Sequence, residues 1–339
     1  MTFALSRLGS LAAIVHPETP GTEEDAQLLV IRADGTHVSL TKPPDAVLSE
    51  VFAHATIGPH HEPSYSSARF LSVALANDGT PFATVGLPFS GAFSGIDEGV
   101  FVWNGARWRD ALRDSTSPID TTNVTIAAAD APSRFVCNAN YFNTFANLDS
   151  AERDPHYQEN QTLLFDGHRT LPLGYGMATA MYGRFVVGYT AGVRSVHPSA
   201  AYPTVALEWT DGHRASLGSG IAYGVNAQGD AVGDNEPALG AVGAPTLWHR
   251  GHAIQLSERF GSAYAVAENG NIVGRIGDSA FIIRGGDVAR KVTRIDELVR
   301  EHGWHVTAAY AIAANGRILA TGQRGSNPPR ILLLKPVSD

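Results

Sequence analysis

The sequence predicts an all-β fold, a single β-propeller of seven blades, each blade a four-stranded antiparallel sheet. Two observations predict it. A hairpin-like motif recurs at a blade-sized interval, and an apolar strand with a tight turn follows each copy. Six blades with an N-terminal cap is the alternative. The chain has 339 residues, and propellers of this length commonly form one unit, so we expect one domain over residues 1–339.

The hairpin motif is an apolar strand, a turn that ends in glycine, and a second apolar strand. Its clear copies begin at Ala222, Ala263 and Ala309, and weaker copies begin at Val73 and Ala178. Glycine supplies the positive φ that a tight hairpin turn requires. The turn glycines are separated by 46, 41 and 46 residues, the length of one blade, and they are Gly183, Gly229, Gly270 and Gly316.

Each hairpin is followed by an apolar, often aromatic strand that ends in a turn. Seven such segments occur and are interpreted as the third strands of seven blades: 28–35, 100–105, 163–167, 206–212, 246–251, 280–286 and 331–336. The last blade therefore stops at its third strand. We expect residues from about Thr2 to Leu5 to supply or adjoin the missing edge, because closing the ring removes exposed sheet edges.

The C-terminal part carries a further pattern. Ile-Asp-Glu-Leu-Val follows Arg294, and Gly303-Trp304, the hairpin from Ala309 and a closing apolar strand with proline come next. In this it resembles the terminal unit of the HAF-repeat bacterial propellers, well over residues 174–336 and loosely over 1–173. Most members carry a secretion signal and keep an asparagine in the hairpin, which this chain keeps only at Asn226. The resemblance implies the propeller fold and no shared catalytic motif.

Composition narrows the classes of function. The net charge is -8 and no Lys/Arg cluster is longer than about a pair, which argues against nucleic acid or an anionic membrane as partner. The single cysteine, Cys137, lies in an apolar run and is expected to be buried. No segment approaches the ~20 apolar residues of a membrane span. We expect a cytoplasmic monomer, with a periplasmic location as the alternative.

Loops of different length are expected on the two faces of the propeller. Turns between first and second strands, and between third and fourth strands, are short. The long segments all belong to the other face or join blades, and they are 16–25, 41–67, 87–98, 140–160, 190–203 and 234–244. Of these, 41–67 is an insertion between blades and 140–160 is a long loop. Long loops on a rigid scaffold are where binding usually resides.

Unrepeated polar residues on the long loops are the candidate site. The catalytic candidates are His156, His197, Glu159 and Glu98, as general acids, bases or carboxylates. A divalent metal ion, if one is bound, would take His60, His61, His156 and His197. The ligand-binding candidates are Tyr141, Tyr157, Arg194, Tyr202 and Glu236. Solvated loop histidines are the alternative, because no His-x-x-x-His spacing is present.

Residues that recur with the repeat are expected to be structural. His37, His168, His213 and His252 each follow a third-strand turn. Two aromatic sets also repeat, Trp103, Trp209 and Trp248 on the third strands and Tyr223, Tyr264 and Tyr310 on the first. A feature that every copy carries serves the repeat.

These observations favour a small-molecule-processing enzyme of lyase, hydrolase or cyclase type on the long-loop face. The chain lacks a glycine-rich phosphate loop, which argues against a nucleotide cofactor. The alternative is a non-catalytic propeller, an interaction or immunity-type module that binds a protein or a ligand. In that case the loops 87–98 and 140–160 would be the anchors.

Overall fold

A computed structural model describes residues 3–16, 26–52, 64–89, 95–113, 124–139, 161–167, 169–191, 204–236, 241–285, 291–301 and 303–336. These residues form seven successive antiparallel sheets, which we call blades. Six blades have four strands and the last has three, and neighbouring strands in each blade are consecutive in the chain. Seven blades are therefore confirmed, and all seven predicted third strands are third strands in the structure.

The chain divides into two compact units, residues 1–174 and 175–339, and each is described by itself. The expectation of a single domain stays a prediction. Unit 1 holds three blades. Their strands are β1 (Phe3–Leu5), β2 (Leu11–Val15), β3 (Gln27–Ile31) and β4 (His37–Leu40); β5 (Arg69–Leu75), β6 (Pro81–Phe89), β7 (Gly95–Trp103) and β8 (Trp108–Asp110); and β9 (Val124–Ala131), β10 (Arg134–Ala139), β11 (Gln161–Asp166) and β12 (Arg169–Tyr175).

Unit 2 holds blades 4 to 7. Their strands are β13 (Met177–Tyr182), β14 (Phe185–Ala191), β15 (Thr204–Thr210) and β16 (His213–Ser219); β17 (Ile221–Val225), β18 (Ala231–Asp234), β19 (Pro245–His249) and β20 (His252–Gln255); β21 (Gly261–Val266), β22 (Ile272–Ile276), β23 (Ser279–Ile283) and β24 (Val292–Arg294); and β25 (Trp304–Ile312), β26 (Ile318–Arg324) and β27 (Arg330–Leu334). A 3-10 turn, Ile295–Leu298, joins blades 6 and 7.

The N-terminal residues that were expected to supply or adjoin the edge of blade 7 form a strand of blade 1. Phe3–Leu5 forms β1 and pairs with β2, Phe3 opposite Ala13, so it is the first strand of blade 1. Blade 7 consists of β25, β26 and β27, and within the described residues no fourth strand covers β27. These residues therefore do not supply a fourth strand to blade 7, because they complete the first hairpin of blade 1, and the alternative that they adjoin that edge stays a prediction.

The core of each unit lies between the faces of neighbouring blades. In unit 2, one cluster joins blades 4 and 5 around Val187 and Trp248, and another joins blades 5 and 6 around Val232 and Phe281. A third joins blades 6 and 7 around Val273. Successive residues of a strand point to opposite faces, and in β18 Ala231 packs toward blade 4 whereas Val232 packs toward blade 6, so this sheet is buried on both faces.

The insertion 41–67 contains a helix that the sequence reading did not identify, α1 (Asp45–Phe52). Leu48 and Phe52 on α1 are buried in the core of blades 1 and 2. The helix lies so close to β7 that a Cβ on Gly99 would be 2.8 Å from Val51 Cγ1. Lys42 donates hydrogen bonds to the carbonyl oxygens of Tyr65 and Ala68 at 3.2 and 3.3 Å, which joins the two ends of the insertion.

Close packing between strands explains why the hairpin motif keeps a glycine in its second strand. Gly188, Gly233 and Gly274 lie opposite the first strand of their blade, where a Cβ would come within 1.9, 1.8 and 2.1 Å of a backbone carbonyl oxygen. Each of the four turn glycines has a positive φ, as the motif predicts. Backbone spacing therefore explains the motif without a functional role.

Two smaller expectations, on Cys137 and on the segment 87–98, have clear outcomes. Cys137 is buried, and burial raises the pKa of its thiol. The segment 87–98 was expected to be a long loop and is mostly strand, because β6 and β7 stay paired from Leu87 opposite Asp97 to Phe89 opposite Gly95. Among the residues described, no helix has the length and apolar character to cross a membrane.

Candidate functional site

Most of the predicted site residues lie outside the part of the chain that the structure describes. These are His60, His61, Tyr141, His156, Tyr157, Glu159, Arg194, His197 and Tyr202. Their roles stay predictions. Glu98, in unit 1, and Glu236, in unit 2, are described, and each is considered within its own unit.

Glu98 belongs to a strand and not to a loop. It lies in β7 opposite Gly86 of β6, and it is half-buried. Burial raises the pKa of its carboxyl group. The group therefore keeps its proton to a higher pH than an exposed glutamate would, as a general acid requires.

Glu236 lies in the connection between β18 and β19, where the sequence predicted a long loop. Its backbone carbonyl accepts a hydrogen bond from the Thr204 hydroxyl. The neighbouring Asn235 pairs in both directions with Ala244, through its backbone N–H at 3.1 Å and its side-chain oxygen at 2.7 Å. Gly243 approaches so closely that a Cβ there would be 2.7 Å from Glu236 N. This segment is thus tied to β15 and to the start of β19.

Asp234, which the sequence analysis did not select, lies beside Glu236 and is more tightly held. It is the last residue of β18 and only 3% exposed. Its carboxylate accepts hydrogen bonds from the Ser262 hydroxyl at 2.6 Å and from Glu236 N–H at 3.1 Å. Burial raises its pKa, and hydrogen bonds from Ser262, Glu236 and Tyr223 oppose the rise. Blade 5 therefore presents a buried carboxyl group to a residue of blade 6.

Three tyrosines form a row along the first strands of blades 5, 6 and 7. The rings of Tyr223 and Tyr264 are 5.5 Å apart at a steep angle, and those of Tyr264 and Tyr310 are 5.2 Å apart and stacked. Each tyrosine occupies a β-bulge, where the register skips one residue of the first strand. A bulge re-aims the side chain of its extra residue, so these rings depart from the regular alternation of the sheet.

The electrostatics of this cluster oppose ionisation of the phenols. Burial, and then the Asp234 carboxylate, raise the pKa of Tyr223. Burial also raises the pKa of Tyr264, and Arg275 opposes that rise. Tyr189 on β14 has a pKa raised by burial and by Glu236. Its hydroxyl lies 3.3 Å from Met177 Sδ. The phenols of Tyr189, Tyr223 and Tyr264 therefore remain neutral hydrogen-bonding groups at neutral pH.

We call the residues Tyr189, Tyr223, Asp234, Glu236, Ser262, Tyr264, Arg275 and Tyr310 the tyrosine–carboxylate cluster. It combines aromatic rings, neutral phenol hydroxyls and two carboxyl groups, a set suited to a small polar or cationic molecule. Within the described residues, His, Cys, Asp and Glu form no group of three that could hold a metal ion.

Sequence reasoning found one member of this cluster, Glu236, and assigned three others to structure. The repeat does account for the spacing of Tyr223, Tyr264 and Tyr310, but it does not account for the carboxylates beside them. A usable signal was present: the residue after the motif glycine is Tyr189, Asp234 or Arg275, so its chemistry changes while its neighbours repeat.

Comparison with known proteins supports the fold. No family model matches the sequence, and no curated protein matches it. The β-propeller domain of the Trilobed protease from Pyrococcus furiosus, which has an open velcro topology, is similar with a TM-score of 0.58 and 5% identity over 98% of this chain and 94% of that one. The Hadza microbial sialidase Hz136 gives a TM-score of 0.38 and 8% identity over 84% of this chain and 62% of that one. The chain is an all-β, seven-bladed β-propeller.

Proposed function

We propose that this propeller binds a small organic cation at the tyrosine–carboxylate cluster. The observation that supports it most is the pair Asp234 and Glu236, both nearly buried and adjacent to Tyr223 and Tyr189. Two acidic groups in a site this poor in water attract a ligand cation more strongly than exposed carboxylates would. Aromatic faces add a further attraction for ammonium groups.

The position of Arg275 limits where such a cation would lie. Arg275 is exposed and is close enough to Tyr264 to act on its pKa. A ligand cation would be repelled there, so it belongs on the side of the cluster formed by Tyr189, Tyr223, Asp234 and Glu236. The cluster as a whole carries two acidic groups and one basic group.

Calorimetric titration with choline and with dimethylbutanol, its neutral carbon isostere, tests this proposal. We expect choline to bind at least about tenfold more tightly, a difference of ~1.4 kcal/mol. Asp234→Asn should remove most of that preference. Asp211→Asn, which changes an exposed carboxylate of the same unit, should not. Equal affinity for the two probes would contradict the proposal.

Because Asp234→Asn also alters the hydrogen bonds from Ser262 and from Glu236 N–H, Tyr189→Phe gives an independent test. The change keeps the ring and removes one hydroxyl whose partner is the Met177 sulfur, a weak acceptor. The variant should fold like the wild type, as judged by thermal unfolding, and should bind choline more weakly, because the lost hydroxyl lies on the side of the cluster proposed to hold the cation. Unchanged affinity would exclude a role for this hydroxyl.

Processing of the bound molecule, by a lyase, hydrolase or cyclase reaction, is the second candidate function. It is favoured by Asp234, because burial lets its carboxyl group keep a proton to higher pH and so serve as a general acid. Incubation with a pool of small metabolites, followed by mass spectrometry, checks it. A compound that the wild type and Asp234→Asn consume equally would exclude this role for Asp234.

The metal hypothesis rests on His60, His61, His156 and His197 and is a separate proposal. Elemental analysis of protein purified without a chelator or a His tag tests it. A stoichiometric divalent ion that is lost when His156 and His197 become alanine would support a metal site. An equal ion content in that double variant would exclude those two ligands.

We further propose that the repeats are of the HAF type and that the protein is a cytoplasmic monomer. The family proposal is supported by the hairpins that begin at Ala222, Ala263 and Ala309 and by the closing strand with proline. Sedimentation velocity measures the oligomeric state directly.

A further inference from the structure

The third strand of blade 7 differs from every other third strand in its surroundings. In the six other blades a fourth strand pairs with the outer side of the third, as β24 pairs with β23. β27 pairs with β26 on one side, and within the described residues its other side carries no strand. Its residues Ile331–Leu334 are only half-buried, whereas Ala280–Ile283 of β23 are all buried.

A groove runs along this open edge. Its volume is about 970 Å³. Its apolar lining comes from blade 6 and the following 3-10 turn on one side, including Ile282 and Leu298, and from Trp304 and β27 on the other. Leu332 and Leu334 pack against the buried cluster that contains Ile282 and Ile318. The groove thus joins a row of backbone hydrogen-bonding groups to an apolar floor.

The charge of the groove differs in sign from that of the protein. Arg284, Arg300 and Lys335 line it and are exposed, and Glu301 is its one acidic lining residue. The lining therefore carries a net charge of about +2 at neutral pH, whereas the whole chain carries -8. Within the described part of the chain no ion pair involves Arg284, Arg300 or Lys335.

We propose that β27 is a strand-addition site that binds an extended acidic segment of another protein. The segment would take the place of the fourth strand of blade 7, pair with β27 through backbone hydrogen bonds and neutralise the basic lining. Strand addition to an open edge is a recurrent mode of peptide recognition, in which alternate side chains give specificity. The floor fits apolar side chains at every second position, and the rim fits carboxylates.

The chain's own fourth strands indicate what such a segment looks like. Some of them place an apolar residue against the core, such as Leu217 of β16 and Val292 of β24. β27 has five residues, so a partner strand of about five to seven residues would cover it at ~3.3 Å per residue. A second copy of β27 is a poorer occupant, because it would add Arg330 and Lys335 to an already basic groove.

Fluorescence anisotropy with a labelled heptapeptide of alternating glutamate and valine tests the proposal. Two further peptides of the same sequence carry N-methyl groups on alternate residues, one on each edge of the strand. Since only one edge can face β27, we expect one methylated peptide to lose at least about tenfold in affinity and the other to bind like the parent. Equal binding of all three would overturn the proposal.

Charge is tested with matched variants of the protein. Arg284→Glu with Arg300→Glu should weaken binding of the peptide at least about tenfold. Arg214→Glu, on the outer strand β16 of a complete blade in the same unit, makes the same kind of change elsewhere and should leave it intact. A lysine–valine heptapeptide that binds as tightly as the acidic one would contradict the charge argument. A dimer in sedimentation whose β27 amides are protected would assign the edge to a second copy and overturn the proposal.

Discussion

The residue directly after the motif glycine differs in chemistry from blade to blade, although its neighbours repeat. It is Tyr189 in blade 4, Asp234 in blade 5 and Arg275 in blade 6, each paired with the residue before the motif alanine. All three reach the tyrosine row or its carboxylates. A phenol, a carboxylate and a guanidinium thus occupy the same position in three blades, while the strand pairing around it stays the same.

The contributions of Asp234 and Asp296 to the stability of the fold should change with pH in opposite directions. Burial raises the pKa of folded Asp234, so the folded state binds more protons, and its contribution to stability falls as pH rises above the unfolded value of about 3.9. Burial also acts on Asp296, but hydrogen bonds from Arg294, His305 and Val306 N–H outweigh it and lower that pKa. Its contribution is present above the unfolded pKa and is lost as pH falls.

Urea unfolding between pH 3 and 7 measures both effects. The stability advantage of the wild type over Asp234→Asn should shrink as pH rises, and its advantage over Asp296→Asn should grow. Subtracting each variant from the wild type cancels the titration of groups that both proteins share. If both stability differences rose with pH, or if both fell, the opposite pKa shifts assigned to Asp234 and Asp296 would be contradicted.

At the level of strands, the close approach of β17 and β18 allows a test of whether strand spacing requires the motif glycine. Gly233→Ala would place a Cβ 1.8 Å from the Ile221 carbonyl oxygen. We expect a loss of about 1–3 kcal/mol by overpacking, although glycine to alanine within a strand otherwise stabilises. Chemical denaturation measures it. The control is Ala320→Gly, at the matching position of blade 7, which should lower the free energy of unfolding by no more than about 1 kcal/mol. If Gly233→Ala left the free energy of unfolding unchanged, the spacing argument would be refuted.

A second test at this scale asks whether the buried face of α1 stabilises the fold. Leu48→Ala removes a side chain that is fully buried, and we expect a loss of about 2–4 kcal/mol in the free energy of unfolding. Glu50 lies on the same helix, and its ion pair with Arg113 at 3.1 Å is largely exposed. Glu50→Ala should therefore change stability by less than about 1 kcal/mol. Similar losses in the two variants would mean that α1 does not anchor the insertion through its buried face.

The strands were predictable from sequence because the physics of a blade is local and repeated. Seven third strands could be located from apolar runs such as 246–251, each ending at a turn. The helix α1 was missed since it occurs once, so no second copy exposed its pattern. The site was largely missed for the opposite reason: Tyr223, Tyr264 and Tyr310 repeat and therefore look structural, and only the bulges and the contact with Asp234 distinguish them.

For the whole molecule, the seven sheets differ in how their outer edges are protected. Six carry a fourth strand, and a fourth strand such as β16 is largely exposed itself while it covers the third. Among the described residues, only the third strand of blade 7 contains no buried residue. An open edge is an aggregation risk unless it is blunted by charge, and Arg330 and Lys335 flank the apolar residues of β27.

Amide hydrogen exchange across all third strands should reveal this difference. In β23 both edges are paired, so its amides should exchange slowly, and β19 should behave in the same way. In β27 alternate N–H groups point away from β26 and lack a strand partner in the described structure, because antiparallel pairing uses only every second residue on each side. These amides should exchange at least about tenfold faster, and adding the glutamate–valine heptapeptide should slow them while β19 and β23 stay unchanged. Equal protection of β23 and β27 in the isolated protein would show that the edge is already covered, and strand addition from a partner would then be excluded.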